Sequence, residues 1–377
     1  MRTTEVAVVG AGVIGAACAH RLANAGVRVT IIERSTPGSG ASGASAGGVR
    51  QQNRDPRELA LARYSVRLWT SLEAELSADV GYRRSGHITL AETEQEVVAA
   101  TAMVARDRAA GLDIELLDTA VLPDVAPGLG PSIRAGAYCA TDGYADPQRT
   151  TSAFVAAARR SGARILTRTR VTSLARRAGR VVGLETSRGK IACDLVVNAA
   201  GAWAGRLAAM AGSELCIEGV ALEMARTAPA PRALGPVLAS LHRPLSLKQG
   251  ADRTFLIGGG RVGRARTGTF KALPVKAHAL LAYADAAAVL PAVRGVRIAT
   301  TWAGLEALTP DAVPFIGILP GIEGMMVVAG FSGHGFALAP GVAAVVERLV
   351  AGAIPPVDVS ALGFRAAVMS GAHESRS

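Results

Sequence analysis

Apolar residues open the chain in a short β-branched run, Val6-Ala7-Val8-Val9, and return as a helical stretch from Ala16 to Ala25. A second short run, Val29-Thr30-Ile31-Ile32, ends at Glu33. Runs of this length bounded by glycine read as buried strands, so the first 34 residues predict a βαβ unit. Gly10-Ala11-Gly12-Val13-Ile14-Gly15 stands between strand and helix, and Gly26 stops the helix.

Further along, a helical stripe runs through Leu59, Ala62, Val66, Trp69, Leu72 and Leu76 and predicts one helix over Asp55 to Ala78. Gly86 to Leu90 reads as a strand, Glu92 to Ala110 as a helix, and Leu117 to Ala140 as irregular. A helix over Thr150 to Gly162 leads into β-patterned runs at Arg164–Thr167, Val171–Leu174, Val181–Glu185 and Leu195–Asn198. The last feeds a turn of small residues, Ala199-Ala200-Gly201-Ala202-Trp203. Ser213 to Val296 changes character, with many prolines, irregular strands at Leu245–Gln249 and Thr254–Ile257, and a helix around Val275 to Val289. Thr300 to Asp311 leads back to a strand at Met325–Ala329, a turn at Gly330–Phe336 and a closing helix to Ala351. The fold class is therefore α/β, with a separate, mostly antiparallel substrate domain.

Composition narrows the picture. A chain of 377 residues, 50% hydrophobic and with 43 glycines, fits a turn-rich α/β protein of two domains. Cys18, Cys139, Cys193 and Cys216 are scattered without C-x-x-C spacing, which indicates no metal site and reduced thiols of a cytoplasmic protein. The net charge of +11 is spread along the chain and aromatics are only 4%, which argues against a nucleic-acid partner. Attraction of anionic substrates or of an acidic membrane surface stays open. Gly324 to Val346 imitates a membrane span, but its glycines, Pro340 and His334 break it. Arg2 and the apolar run to Ala19 imitate a signal peptide, against which the embedded glycines and the strand resuming at Arg28 argue.

The chemistry lies in the turns. Gly10 permits the tight exit from the strand, Gly12 lets a pyrophosphate approach the backbone, and Gly15 lets helix and strand pack closely, with the helix N-terminus aimed at phosphate. Glu33 follows Gly10 by 23 residues, near the spacing of about 20 at which an acid accepts from a ribose hydroxyl. The small-residue stretch from Ser35 to Gly48 reads as cofactor contact or as a flexible linker, and Arg50 beyond it as a carboxylate ligand or a solvated arginine. His87 reads as structural. His334, in the closing turn, reads as structural or solvated at least as readily as a ligand.

The opening turn with Glu33, the turn Asn198-Ala199-Ala200-Gly201-Ala202-Trp203 and the C-terminal Trp302-Ala303-Gly304 … Thr309-Pro310-Asp311 … Gly330-Phe331-Ser332-Gly333-His334-Gly335-Phe336 together resemble the FAD-dependent D-amino-acid oxidase superfamily. Its members include glycine oxidase, sarcosine oxidase and the β subunits of opine oxidase and D-hydroxyproline dehydrogenase. Gly47 to Gln52 and Ser246 to Gln249 look most like the β subunits. The resemblance implies a discontinuous Rossmann-like FAD-binding domain (1–82, 142–213, 297–365), a substrate domain (83–141, 214–296) and a disordered tail (366–377). It implies cofactor contacts at Gly10, Gly12, Ile14, Gly15, Glu33, Arg34, Ala41, Ser42, Gly47, Gly48, Val171, Gly201, Gly330, Gly333, His334, Gly335 and Phe336.

Departures from the family pattern carry their own implications. Where relatives place a carboxylate-binding Arg after Trp-Ala-Gly, this chain has Glu306. Where sarcosine oxidase attaches FAD to a Cys it has Gly304, so the flavin is expected to be non-covalent. A Lys of that enzyme is Ala337 here, and the histidine that holds a second, covalent flavin in heterotetrameric sarcosine oxidase is Pro147. Arg50 and Lys248 remain as carboxylate ligands, Glu306 as a site for a cationic amine, and His334 as the fourth catalytic candidate. The implied reaction is hydride transfer from an amine α to a carboxylate to flavin N5, giving an imine that water hydrolyses. The alternatives are a flavin-holding subunit inactive without heteromeric partners, and an NAD-dependent reductase. Oxygen, a quinone or a partner subunit is the implied electron acceptor, and the location is the cytoplasm, free or at the inner membrane face.

Overall fold

The computed structural model describes residues 2–266 and 271–365, so the tail expected at 366–377 lies outside the described residues. The opening strand Val6–Val9 is central to a six-stranded sheet in the order Phe315–Ile318, Met325–Ala329, Leu195–Asn198, Val6–Val9, Val29–Ile32, Arg164–Leu166. All pairs are parallel except the first. Val6–Val9, Val29–Ile32 and Met325–Ala329 are buried along their whole length, which is why they read as continuous apolar runs without alternation. One face is covered by the helices Val13–Asn24, Pro56–Trp69, Pro147–Arg160 and Gly335–Val350. The other carries Ala204–Met210 and a four-stranded sheet that includes Val181, Leu184 and Ile191.

A second sheet has eight strands, ordered Ile298–Leu308, Glu218–Pro229, Thr254–Gly258, Ser246–Gln249, Val237–Ser240, His87–Ala91, Ala135–Cys139, Glu115–Asp118. Only Val237–Ser240 and His87–Ala91 pair in parallel. Ala225, Leu247, Phe255 and Ile257 bury one face against the helix Lys276–Val289. Side chains alternate along each strand, so the opposite face carries Trp302, Gly304 and Glu306, with Met224 and Arg226 beside them and Lys248 further across.

Several elements differ from the sequence expectation. The helix expected over Asp55–Ala78 is two, Pro56–Trp69 and Leu72–Leu76, divided at Thr70–Ser71. The stretch expected to be irregular, Leu117–Ala140, holds the strand Ala135–Cys139. Its residues are small because Ile88 crowds it: a Cβ at Gly136 would lie 2.6 Å from Ile88 Cγ2, and small residues hide the strand pattern. Glu218–Pro229, within the region expected to hold only irregular strands, is a long strand paired with Ile298–Leu308. The expected 297–365 segment therefore begins in the second sheet and crosses to the first only after Leu308.

The closing helix contains Pro340, which has no N–H to give the Phe336 carbonyl. The helix Pro56–Trp69 supplies bonds at this point. Ser65 Oγ donates to Ala337 O at 2.7 Å and accepts from Gly341 N–H at 3.1 Å, while Trp69 Nε1 donates to Ala337 O at 2.9 Å. A Cβ on Gly341 would meet Ser65 Cβ at 2.9 Å, so the helices touch at backbone distance. Ser65 and Trp69 are both fully buried. Ser65→Ala is expected to cost about 1–3 kcal/mol in urea unfolding, because a buried N–H loses its acceptor. An unchanged midpoint would mean that the helix satisfies itself across Pro340.

Candidate active site

The opening turn is built on a contact that permits no side chain. A Cβ on Gly15 would lie 2.0 Å from Gly10 O, so the helix begins directly on the strand's exit. Glu33 ends the second strand with its carboxylate accepting from Ala11 N–H at 2.9 Å and Ser35 N–H at 2.7 Å. That fixes the acid beside the turn. Thr169 N–H bonds Glu33 O at 2.8 Å, which brings the start of the strand Val171–Arg177 to the same edge. Arg34 lies over the Trp203 ring at 3.8 Å, joining the second small-residue turn, with Gly201 at its head, to the first. Ile14 is buried in the core beneath.

The small-residue stretch is ordered here, with Ala41–Ala44 as a single helical turn. Ser42 Oγ accepts from Val13 N–H at 2.9 Å, and a Cβ on Gly12 would meet that oxygen at 3.0 Å. Trp302 Nε1 donates to Ala44 O at 2.8 Å, and a Cβ on Gly304 would stand 2.6 Å from Ala44 Cβ. The second sheet thus rests directly on this stretch. A cradle of bare backbone at a helix N-terminus, with an acid at its side, fits the pyrophosphate and ribose of a dinucleotide.

Gly48–Val49 pairs with Gly143–Tyr144, and Lys248 Nζ sits over the Tyr144 ring at 4.4 Å. Lys248 is buried, and burial lowers its pKa to about 8 against the opposing pull of Asp146. Arg226, opposite Leu256 in the same cross-strand row as Lys248, lies 5.7 Å from the Trp302 ring. Arg50 is half-buried, and its Nη1 donates to the carbonyls of Gln52 and Asn53. The buried Asp142 holds this segment straight by accepting from Gln51 N–H at 2.9 Å.

The closing turn is gripped from two sides. His334 Nδ1 lies 2.6 Å from Oε1 of Glu58, a fully buried carboxylate that also faces Arg54 at 3.7 Å. The His334 contact is close but poorly aligned as a hydrogen bond, and neither Glu58 oxygen has an aligned donor. Burial, and then Arg54, push the His334 pKa down to about 4, while Glu58 pulls the other way. On the far side stands Glu306, whose pKa burial raises while the Gly333 and Ala307 amides pull it down. Gly330 sits at φ +75°, where a Cβ would meet Thr309 Cγ2 at 2.4 Å, and Gly335 and Phe336 open the closing helix.

Lys248 and Glu306 share the sheet face that meets the small-residue stretch, whereas Arg50 and His334 belong to the buried polar cluster beneath the closing turn. Sequence reasoning missed Glu58, Arg54 and Arg226. Glu58 and Arg54 lie on or beside a helix whose apolar stripe drew the eye, and their i,i+4 spacing reads as an exposed pair. Arg226 lay in a strand that was not recognised.

His334 titrates below its ordinary value of 6.5, so the unfolded chain takes up that proton first as the pH falls. Its contribution to stability is whole above pH 6.5 and is lost as the pH falls toward about 4. Urea unfolding of wild type and His334→Asn across this range is expected to show a shallower acid limb in the variant; parallel curves would contradict the shift.

Comparison with known proteins agrees with this geometry. The family model described as FAD dependent oxidoreductase (DAO) matches residues 5–349. Glycine oxidase of Geobacillus kaustophilus is 32% identical over 355 residues, 92% of each chain. Glycine oxidase of Pseudomonas putida is 29% identical, covering 94% of this chain and 96% of its own. Among solved structures, L-proline dehydrogenase from P. horikoshii superposes with a TM-score of 0.90 at 30% identity, covering 96% of this chain and 97% of that one. A match over nearly the whole length means that this protein belongs to the FAD-dependent oxidoreductase (DAO) family.

Proposed function

We propose that the chain oxidises an amino acid or secondary amine, of the D-amino-acid, D-hydroxyproline, sarcosine, glycine or opine class, to an imine that water then hydrolyses. The observation that carries this reading is the charge layout of one sheet face. Lys248 and Arg226 stand at one end, Glu306 at the other, and Trp302 between them rests on the Ala41–Ala44 turn. Such a face complements a substrate that bears both a carboxylate and an amine.

FAD, when bound, supplies the hydride acceptor. Residues of this chain do the rest. Ala11, Val13 and Glu33 line the dinucleotide end, Ala41, Ser42, Gly47 and Gly48 the path along it, and Gly333 to Phe336 the far end. The N-terminus of the closing helix offers N–H groups and a positive dipole there, which favours negative charge. Lys248 and Arg226 orient the substrate through its anionic group, and little acid–base chemistry is asked of the protein beyond a neutral amine. No cysteine stands at Gly304, and Cys18, Cys139 and Cys193 are buried in the protein's core, which supports a non-covalent flavin.

Anaerobic addition of D-proline, D-hydroxyproline, sarcosine, glycine and opines is expected to bleach the flavin with at least one of them; a flavin that stays oxidised with all of them excludes the class. Acid precipitation is expected to leave all yellow colour in the supernatant, and colour in the pellet would indicate a covalent bond. Lys248→Met is expected to raise KM about 10- to 100-fold with a smaller change in kcat, as for loss of a charge-assisted contact made equally before and during reaction. A fall confined to kcat would remove Lys248 from substrate binding.

A further inference from the structure

The helix Lys276–Val289 covers the eight-stranded sheet on the face away from Trp302, Glu306 and Lys248, which line the cleft between the two sheets. A covering helix ordinarily turns charged and polar residues to water. This one does not. Ala279, Ala282, Ala286 and Val289 are buried, and the exposed positions are Lys276, Ala277, Leu280, Leu281 and Ala284. Leu280 is 58% and Leu281 52% exposed. The chain leading into the helix continues this apolar surface. Leu273, in the two-stranded ribbon Arg264–Arg266 and Lys271–Leu273, is exposed, as is Val262. A Cβ on Gly263, next to Val262, would lie 2.5 Å from Leu273 O, so the two are neighbours. Of the nine large hydrophobics exposed among the described residues, four lie between Val262 and Leu281. Single exposed apolar side chains are ordinary, whereas a group of them marks an interaction surface.

The same stretch is basic. Residues 259–297 hold seven Lys and Arg against one acid, Asp285, which gives +6 of the chain's +11. Asp285 is taken up by Arg243 and Arg261. Glu223, which reaches this side from its strand, accepts from Val275 N–H at 2.8 Å and faces His278. The remaining cations have no such partner. Arg264, Lys271 and Lys276 at one end of the helix, and Arg294 and Arg297 beyond the other, are exposed, and among the described residues none has an acid within ion-pair distance.

We propose that this face docks on an anionic lipid bilayer, with Leu280 and Leu281 entering the acyl boundary and Arg264, Lys271 and Lys276 meeting the headgroup phosphates. Charge argues against a second copy as the occupant, because a two-fold pairing would set these cations against themselves. A protein partner is held by aromatic anchors and a rim of hydrogen-bonding groups. The outer surface of this helix is convex and offers leucine and alanine instead. A bilayer asks only for apolar insertion and nearby cations, and both are present. Docked this way, the sheet stands between the lipid and the cleft, and the cleft stays on the side away from the membrane.

The test sediments the FAD-loaded protein with vesicles of phosphatidylcholine alone and with vesicles of phosphatidylcholine and phosphatidylglycerol in equal parts. Binding is expected only to the anionic vesicles, and is expected to fall about tenfold or more when salt is raised to roughly 0.5 M. Leu280→Ser/Leu281→Ser is expected to weaken it about tenfold or more. Lys271→Gln/Lys276→Gln is expected to weaken it about fivefold for each charge removed. The replaced side chains are exposed, so flavin content and the urea midpoint are expected to stay at wild-type values. Arg177→Gln/Arg188→Gln removes the same charge from exposed positions of the four-stranded sheet and is expected to leave binding within about twofold. Binding that the leucine variant keeps in full, or that both charge variants weaken alike, is general attraction to a basic protein and overturns the proposal. No binding to the anionic vesicles overturns it as well. So does a wild-type dimer that the leucine variant turns into a monomer, because the face then belongs to a second copy.

Discussion

The arrangement depends on backbones that meet where no side chain fits. Gly15 starts its helix against the carbonyl of Gly10, at a distance that even a methyl group would violate. This contact sets where the first helix points, and the helix fixes the plane of the turn. The same device recurs where the second sheet arrives, with Gly304 pressed against Ala44. At both places packing density is gained by removing atoms.

Two bodies of different character meet at this seam. The six-stranded sheet is covered on both faces, and the turns lie at the ends of its central strands. The eight-stranded sheet buries one face under a helix and turns the other, with its charged and aromatic side chains, toward those turns. On the proposed reading, cofactor binding falls to strand ends and substrate recognition to a strand face. A loop-borne site can drift with its loops, whereas here each recognition residue stands on a paired strand, and its position is fixed by register.

The cofactor side was legible from the sequence because it is local. Gly10 to Gly15 and Glu33 lie within one βαβ unit, and the short-range rules for turns and helix starts apply to them. Helices with a clear stripe and caps, such as Pro147–Arg160 with Asp146 at its N-cap, were legible for the same reason. The substrate side was not. Glu218–Pro229 alternates faces, but its cleft-facing positions are as apolar as its core positions, save Glu218 and Arg226, and Gly136 removes the side chain by which a strand is recognised. Glu58 was invisible because its partner, His334, is distant in sequence and joins it only through the packing of the closing helix on Pro56–Trp69. A long-range pair leaves no periodicity.

The strand order carries a further meaning for how the protein comes into being. Val6–Val9 pairs with Leu195–Asn198, and that strand with Met325–Ala329, so neighbours in the sheet lie far apart in the sequence. A parallel sheet assembled from such separated pieces has high contact order and closes slowly. The opening turn is therefore complete only when these distant strands have joined it. A ligand bound where these strands end acts as a fastener for the topology, because it binds the folded chain and not the unfolded one.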